Sequence, residues 1–216
     1  MLNFEHILFV ILAYLTGSFP SSVWLGKIFY KKDVREYGSG NAGATNTFRV
    51  LGKGAGIPVL MMDVLKGWIS VNYIYFISGG CNPFTDHVTS AQFEIQLALG
   101  IAAVIGHLFP IYIGFRGGKG IATLLGLLIG LNYIAAIASI VVFLIVFLIS
   151  KYVSLGSILA SIVFPIIVFF VLDEDTVNSS LQLFSIFVPI LTLITHQKNI
   201  ERLVRGEENK VKFDKK

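Results

Sequence analysis

Long apolar runs are the feature that most constrains this chain. The segments apolar enough to cross a membrane as helices lie at about 4–26, 55–77, 92–113, 119–134, 136–150, 155–172 and 180–196. Several of them reach or approach the roughly 20 residues that a helix needs to span a hydrocarbon core. Only 14% of the 216 residues are charged, whereas soluble domains carry roughly 25%. The sequence therefore predicts an all-α, polytopic integral membrane helical bundle, forming a single domain over residues 1–216.

The distribution of Lys and Arg between these runs indicates the orientation. Cations are concentrated in residues 27–54 and in the tail 197–216, whereas residues 78–91 and 173–179 contain none. Cytoplasmic loops of membrane proteins carry the excess of Lys and Arg. The N-terminus is therefore predicted to lie outside, and residues 197–216 to form a cytoplasmic basic tail.

The apolar run 120–150 has two interpretations. A single helix of that length would be about 46 Å long, too long for a hydrocarbon core of about 30 Å unless strongly tilted. Two short helices that turn near Asn132 preserve the alternation of charge and give about seven transmembrane helices. We favour two helices, and a six-span arrangement is the alternative.

Composition argues against several kinds of site. Cys81 is the only cysteine, so neither an intrachain disulfide nor a multi-cysteine metal site can form. The sequence contains no basic patch with interleaved aromatic residues, the pattern that would indicate binding to nucleic acid. Asp63 is the only Asp within a predicted span, which disfavours a phosphotransferase that holds metal through clustered aspartates. A transporter for organic phosphates is the main rival, although transporters typically show internal repeats and none is visible here.

Three polar segments on the predicted cytoplasmic side are candidate phosphate sites. The first, GSGNAGATNTFR at 38–49, contains glycines, small polar residues and one arginine: Gly38, Gly40, Gly43, Ser39, Asn41, Thr45, Asn46 and Arg49. Glycine permits positive φ and close backbone approach, so successive N–H groups can converge on an anion. The planar guanidinium of Arg49 suits phosphate. A flexible linker is the alternative interpretation.

The second segment, GHLFPIYIGFRGGKGIAT at 106–123, places a lysine among glycines. The members of this cluster are Gly117, Gly118, Lys119 and Gly120. At the start of a helix, the helix dipole and free N–H groups favour phosphate. Ile113 and Gly120 break the Walker A pattern, so a nucleotide P-loop is rejected. The alternative is a plain turn whose lysine serves only to keep this loop on the cytoplasmic side of the membrane.

The third segment is HQKNIERLVRGEENK at 196–210. His196, Asn199 and Arg202 are spaced three residues apart, which places them near one face of a helix that continues out of the last span. That face would present an imidazole, an amide and a guanidinium together. A basic juxtamembrane helix that meets anionic lipid is the alternative.

Polar residues within or beside the spans have simpler explanations. Asp63 and Lys66 lie one helical turn apart within the second span, and we expect a structural ion pair near its cytoplasmic end. His107 is expected to be a hydrogen-bonded structural residue rather than a base. Ser154 and Ser157 return to the cytoplasmic side, where they either contact substrate or form a plain turn.

Taken in order, the three segments resemble the signature segments of the bacterial acyl-phosphate:glycerol-3-phosphate acyltransferases, over essentially the whole chain. The resemblance implies an enzyme of the bacterial plasma membrane whose active site faces the cytoplasm. It implies transfer of a fatty acyl group from acyl phosphate to the sn-1 hydroxyl of glycerol 3-phosphate, giving lysophosphatidic acid and inorganic phosphate. It implies neither cofactor nor metal. The expected partners are membrane lipid and an upstream enzyme that forms acyl phosphate, with no nucleic acid.

The resemblance also implies roles for individual residues. Those expected to act in catalysis are Ser39, Arg49, Lys119, His196 and Asn199. Those expected to bind substrate are Gly40, Asn41, Gly43, Thr45, Asn46, Gly117, Gly118, Gly120, Ser154 and Ser157. Glu208 matches an acidic position with a structural role. Because position 201 is Glu, the H-x-x-x-x-D pattern of acyl-CoA-type acyltransferases is absent. We therefore hypothesise that His196 orients substrate and that a substrate phosphate accepts the hydroxyl proton.

Overall fold

A computed structural model describes residues 4–77, 89–173 and 177–211 of the chain. Within these ranges the regular secondary structure consists of eleven α-helices and two short 3-10 helices, without a strand. The predicted all-α class is therefore confirmed. Most of the predicted external loop 78–91 and of the acidic DEDT segment lies outside the described residues.

Residues 1–131 form the first of two compact units. Its helices are α1 (Phe4–Gly17), α2 (Ser21–Tyr30), α3 (Ala44–Leu51), α4 (Lys53–Asn72), α5 (Ile74–Ile77), α6 (Ser90–Leu108) and α7 (Ile121–Leu131). The main packing pairs are α4 with α7 and α1 with α6, and the short α3 packs on α4. This unit carries the first two polar segments.

Residues 132–216 form the second unit. Its helices are α8 (Tyr133–Ser150), α9 (Val153–Phe170), α10 (Ser179–Thr195) and α11 (Gln197–Val204). Helix α9 packs against both α8 and α10. This unit carries the third polar segment. The single domain over residues 1–216 stays a prediction.

Several helices of the described residues are long and apolar enough to cross a membrane. Four qualify alone, Lys53–Ile77, Ser90–Ile113, Tyr133–Ser150 and Val153–Phe170, and six qualify if each bent pair counts as one span. The bent pairs are α1 with α2, at 42°, and α10 with α11, at 67°. Helix α7 has 11 residues and is about 16 Å long, short of a hydrocarbon core of about 30 Å. Length and composition alone therefore support up to six spans.

The run 120–150 is divided into two helices, as the favoured interpretation predicts, while the number of membrane crossings stays a prediction. Helix α7 ends at Leu131 and α8 begins at Tyr133. Asn132, between them, has an extended backbone, and its Oδ1 accepts a hydrogen bond from Ala135 N at 2.9 Å. Asn is a preferred N-cap because its side chain satisfies an amide that the first helical turn leaves unpaired.

The first apolar run is not the single helix predicted over 4–26. Helix α1 ends at Gly17, and α2 begins at Ser21 and continues to Tyr30. Pro20 lies in the gap. Proline has no N–H to donate, and it disfavours the helical conformation of the residue before it, here Phe19. A local sequence effect thus explains the 42° bend.

Glycine allows the closest helix contacts in the first unit. A Cβ on Gly67 would collide with Thr123 O, and one on Gly126 would collide with Val64 O. Small residues let helix backbones approach closely, as is common where membrane helices pack. The two contacts fix α7 against α4 and thereby position the start of α7, where the second polar segment ends.

Candidate functional site

The first polar segment is folded, so the flexible-linker alternative is wrong for the residues between α2 and α4. Asp33 begins the 3-10 helix Val34–Glu36 by accepting a hydrogen bond from Arg35 N at 3.0 Å. The Arg35 side chain donates to the same carboxylate through Nε at 3.0 Å and Nη2 at 2.8 Å. These hydrogen bonds, above all those from the Arg35 side chain, hold the pKa of Asp33 well below its usual range.

Asn46 supports the glycine turn that follows. Its side chain is buried, and its amide group donates to Val34 O at 2.7 Å and to Tyr37 O at 3.1 Å. Its Oδ1 accepts from Ser39 N at 2.9 Å. The turn itself depends on Gly38 at φ +63° and Gly40 at φ +71°. In this structure the polar atoms of Asn46 bind backbone, so Asn46 shapes the turn from beneath.

Above the turn, several polar side chains of the segment are open to solvent. Ser39, Thr45 and Arg49 are exposed. The Arg49 stem passes close to Gly38, since a Cβ placed on that glycine would lie 3.4 Å from Arg49 Cδ. No ion pair of Arg49 occurs among the described residues. Its guanidinium is therefore accessible to an anionic ligand. Asn41 and Gly43, at the start of α3, are half-buried.

In the glycine loop of the second segment, two amides donate to the end of α6. Gly117 N donates to Leu108 O at 3.2 Å, and Gly118 N donates to His107 O at 3.2 Å. These carbonyls belong to the last turn of α6, where carbonyl oxygens have no hydrogen-bond partner within their own helix. The amides of Gly117 and Gly118 therefore bind backbone, and the expected phosphate site at the start of α7 stays a prediction. Gly120 adopts φ +80° before α7, and Lys119 beside it is half-buried.

The first two segments contact each other directly. A Cβ on Gly118 would lie 2.8 Å from Ala42 O, so only glycine permits this approach. Arg35 Nη1 donates to Ile113 O at 3.1 Å. Beside this bond lies a small apolar cluster: Val23, Val34 and Ala42, with Leu51 and Ile113 packed against it. The sequence placed both segments on one side of the membrane, and the fold brings them into contact.

Beneath them, the predicted ion pair between Asp63 and Lys66 is confirmed. The Nζ–Oδ1 distance is 2.9 Å, and both side chains are buried. Asp63 also accepts a hydrogen bond from Ser21 Oγ at 2.6 Å, and Lys66 donates to Phe19 O at 3.0 Å. Asp63 lies near the middle of α4 rather than at its end. A buried pair needs such added partners, and sequence reasoning identified the pair without them.

His107, as expected, is a buried and hydrogen-bonded residue. Its Nδ1 shares a hydrogen bond with Thr123 Oγ1 at 3.1 Å and lies 3.7 Å from Asp63 Oδ1. Thr123, at the start of α7, was missed by sequence reasoning. The signal was its place in the first turn of α7, where side chains tilt back toward the helix N-terminus.

In the second unit, the third segment does not continue α10 as one helix. The chain bends by 67° between α10 and α11, and His196 at the break has φ −108° and ψ 10°. The prediction of a continuous helix is wrong there, although Asn199 still lies on α11. His196 is buried, with Nδ1 2.9 Å from Thr192 O. Because a carbonyl only accepts, that contact places a proton on Nδ1.

Glu208 connects three parts of the second unit. Its Oε1 accepts from Asn199 Nδ2 at 2.7 Å and from Ser154 Oγ at 2.9 Å. Its Oε2 accepts from Arg202 Nε at 2.8 Å. Burial alone would raise the pKa of Glu208, but the hydrogen bonds from Arg202, Asn199 and Ser154 outweigh it and lower the pKa overall. This geometry agrees with the structural role that the resemblance implied for Glu208.

The two serines at the start of α9 differ in their contacts. Ser154 donates to Glu208, as described, whereas Ser157 Oγ donates to Val153 O of its own helix at 3.0 Å. Neither contact tests the predicted role in substrate binding. Within the described ranges, no group of three or more His, Cys, Asp or Glu side chains is placed to hold a metal ion.

Comparisons with known proteins agree on one family. The family described as glycerol-3-phosphate acyltransferase matches residues 7–206 of the chain. Glycerol-3-phosphate acyltransferases of Staphylococcus aureus strains Newman and JH9 are each 41% identical to it over 207 residues, covering 96% of this chain and 98% of the relative.

Solved structures give the same answer. The chain is similar to crystal structures of PlsY (YgiH), an integral membrane glycerol 3-phosphate acyltransferase, in its glycerol 3-phosphate and lysophosphatidic acid forms. The TM-scores are 0.82 and 0.79, with 35% sequence identity and 96% of both chains covered in each case. The similarity thus extends over almost the full length in both sequence and fold.

Proposed function

Because the chain belongs to the glycerol-3-phosphate acyltransferase family, we propose that its acyl donor is acyl phosphate and its acceptor the sn-1 hydroxyl of glycerol 3-phosphate. The resemblance found in the three polar segments is thereby confirmed at the level of the family: this is an integral membrane acyltransferase of phospholipid synthesis. Lysophosphatidic acid and inorganic phosphate are the products of the proposed reaction.

One observation carries the proposal most directly. Two glycine-rich segments, each with one cation in the predicted site, meet through Gly118 and Ala42, while Arg49 is exposed and without an ion pair among the described residues. Both proposed substrates carry phosphate. A guanidinium forms charge-assisted hydrogen bonds with phosphate oxygens that are roughly twice as strong as neutral ones.

The proposed chemistry needs little from the protein beyond position and charge. The hydroxyl oxygen of glycerol 3-phosphate attacks the acyl carbonyl carbon, a new ester C–O bond forms, and the bond from that carbon to the phosphate oxygen breaks. The hydroxyl proton passes to a substrate phosphate, and inorganic phosphate leaves. Because acyl phosphate is already activated, the protein mainly aligns the hydroxyl and stabilises developing negative charge.

The roles proposed for side chains follow from the resemblance, adjusted to the geometry. Arg49, Ser39 and Lys119 bind phosphate groups, and the neighbouring exposed positions Thr45 and Gly40 line the approach. Asn46, Gly117 and Gly118 maintain the shape of the two loops, since their polar groups already bind backbone.

The resemblance implies that His196 and Asn199 also take part in the proposed reaction. With the Nδ1 proton directed at Thr192 O, a neutral His196 ring carries its lone pair on Nε2. Nε2 is then suited to accept a hydrogen bond from the substrate hydroxyl and orient it. The same lone pair would suit a general base, which is the alternative to the substrate phosphate as proton acceptor.

The proposed topology has seven crossings, with α7 counted as one of them. It places the N-terminus outside and the C-terminus in the cytoplasm, because the cations concentrate in residues 27–54 and 197–216. We propose the bacterial plasma membrane as its location and the cytoplasmic face as the side of the active site. An enzyme that forms acyl phosphate would supply the donor.

The proposed reaction is tested with purified protein, acyl phosphate and glycerol 3-phosphate, by measuring released phosphate and lysophosphatidic acid. We expect release that requires both substrates. Acyl-CoA serves as the control donor and should give no product. Activity with acyl-CoA alone, or no activity with either donor, would overturn the proposed donor.

A further inference from the structure

His107 is held by two neighbouring elements. Its Nδ1 shares a hydrogen bond with Thr123 Oγ1 of α7 and lies 3.7 Å from Asp63 Oδ1 of α4. Asp63 is in turn fixed by Lys66 at 2.9 Å and Ser21 at 2.6 Å. The ring therefore has little freedom to rotate. This cluster lies in the first unit and is not used by the proposed chemistry.

The opposite edge of the ring faces the glycine loop. A Cβ on Gly118 would collide with His107 Nε2, so the loop backbone lies directly against this atom. The same residue holds the loop a second time, because Gly118 N donates to His107 O at 3.2 Å. Gly118 also contacts Ala42 O of the first segment. One residue thus supports the loop that carries Lys119 through both its side chain and its backbone.

The space around this cluster decides between support and substrate binding. A cavity lined by Asp63, Lys66, His107, Ser18 and Gly117, among others, has a volume of about 10 Å³. A single water needs roughly 10–15 Å³ by this measure. Glycerol 3-phosphate is larger than this space, which favours support of the loop by the buried cluster over direct contact with substrate.

We propose that His107 is a positioning residue for substrate binding, held by Thr123 and Asp63 so that its Nε2 edge supports Gly118 and fixes the path of the Gly117–Lys119 loop. The inference rests on the proposed function, in which this loop binds phosphate. Releasing the ring lets the loop shift, which weakens phosphate binding in the ground state and the transition state alike. Loss of such uniform binding raises KM and leaves kcat nearly unchanged.

Thr123→Val and Thr123→Ser form the matched pair that tests the inference. Valine keeps the shape of threonine and removes the hydroxyl that holds Nδ1, whereas serine keeps the hydroxyl. We expect Thr123→Val to raise KM for glycerol 3-phosphate at least fivefold, with kcat within twofold of the unmodified protein. Thr123→Ser should keep both constants within twofold. Ser70→Ala removes a buried hydroxyl that donates only to Lys66 O of its own helix, and it controls for general loss of stability.

The inference would be overturned if Thr123→Val and Thr123→Ser had the same KM. It would also be overturned if the kcat of Thr123→Val fell by as much as the kcat of Ser70→Ala, because the effect would then be a general loss of stability. If Thr123→Val does not fold, His107→Asn is tested instead. The asparagine amide occupies the position of His107 Nδ1, and the Nε2 edge that contacts Gly118 is removed. An unchanged KM in that variant overturns the inference equally. Calorimetric binding of glycerol 3-phosphate is measured in parallel. Unmodified protein that binds it but forms no lysophosphatidic acid refutes the proposed reaction, while the binding constants of the variants still decide the role of His107.

Discussion

Arg49 and Arg202 are both arginines of candidate phosphate-binding segments, and the fold uses them differently. Arg49 lies exposed above the glycine turn without an ion pair among the described residues, whereas Arg202 donates to Glu208 at 2.8 Å and is about one-third exposed, at 34%. The sequence pattern offered both guanidiniums as ligands for an anion. The difference shows that an internal carboxylate has already taken the place of that anion at Arg202.

The comparison predicts opposite phenotypes for the two arginines. Arg49→Ala should lower turnover about a hundredfold, which corresponds to about 2.7 kcal/mol of transition-state stabilisation. Its thermal midpoint should not change, because no described ion pair is lost. Arg202→Ala should mainly lower the thermal midpoint. Arg205→Ala, whose exposed partner is Glu201 at 2.7 Å, is the matched control. Equal turnover in Arg49→Ala and Arg205→Ala would contradict a phosphate-binding role for Arg49.

Removing the internal carboxylate sharpens the comparison. Glu208→Gln replaces one carboxylate oxygen by an amide N–H group, which faces the N–H and O–H donors that bind the carboxylate in the unmodified protein. We expect a loss of about 2 kcal/mol in stability. The value lies below that for a fully buried pair because Arg202 is partly solvated. Thermal unfolding in detergent measures it. The adjacent Glu207 is exposed, so Glu207→Gln should leave the midpoint unchanged, and equal midpoints in the two variants would contradict the assignment.

Acidification should act on the same contact. The pKa of Glu208 is lower in the folded protein, so its ionised form contributes stability at pH values above the usual glutamate pKa of about 4.3. That contribution is lost as pH falls through the lowered value. We expect the thermal midpoint to decrease below about pH 4, and to decrease less in Glu208→Gln. Asp33 has a lowered pKa of the same sign, so Asp33→Asn measures its separate share. A pH profile in Glu208→Gln identical to that of the unmodified protein would exclude Glu208 as a source.

The smallest expected effect separates the two serines of α9. Ser154→Ala removes a donor to Glu208 and should cost about 1 kcal/mol of stability. Ser157→Ala removes only a bond to Val153 O within its own helix and should cost at most about 0.5 kcal/mol. Chemical or thermal unfolding of the two variants compares them directly. The reverse order would show that Ser154 does not stabilise the Glu208 contacts.

Apolar length and local chemistry made much of the helical framework predictable. The break at Asn132 was visible because a polar cap residue interrupts a run too long for one span. Pro20 was an equally clear signal for a break, but it was overlooked because the apolar run continues on both sides of it. The bend at His196 had no comparable signal, since neither proline nor glycine marks it.

Partners distant in the chain were beyond sequence reasoning. Glycine loops near cations indicated the candidate segments, but which amides of the second segment bind backbone depended on where α6 ended. Ser154 and Glu208 are 54 residues apart, and Arg35 and Ile113 are 78 residues apart. Contacts at such separations follow from helix packing rather than from spacing along the chain. Polar residues could therefore be identified as important while the partner of each stayed unknown.

The shortness of α7 has a consequence for where water and the hydrocarbon layer of the membrane meet. Centred in a hydrocarbon layer of about 30 Å, a helix of about 16 Å leaves about 7 Å uncovered at each end. The loop that carries Lys119 would then begin below the level of the lipid headgroups, at the depth where acyl chains start. At such a recess, a water-soluble phosphate ester and a fatty acyl donor can meet. The phosphate ester remains in contact with water, and the acyl donor keeps its tail in the bilayer.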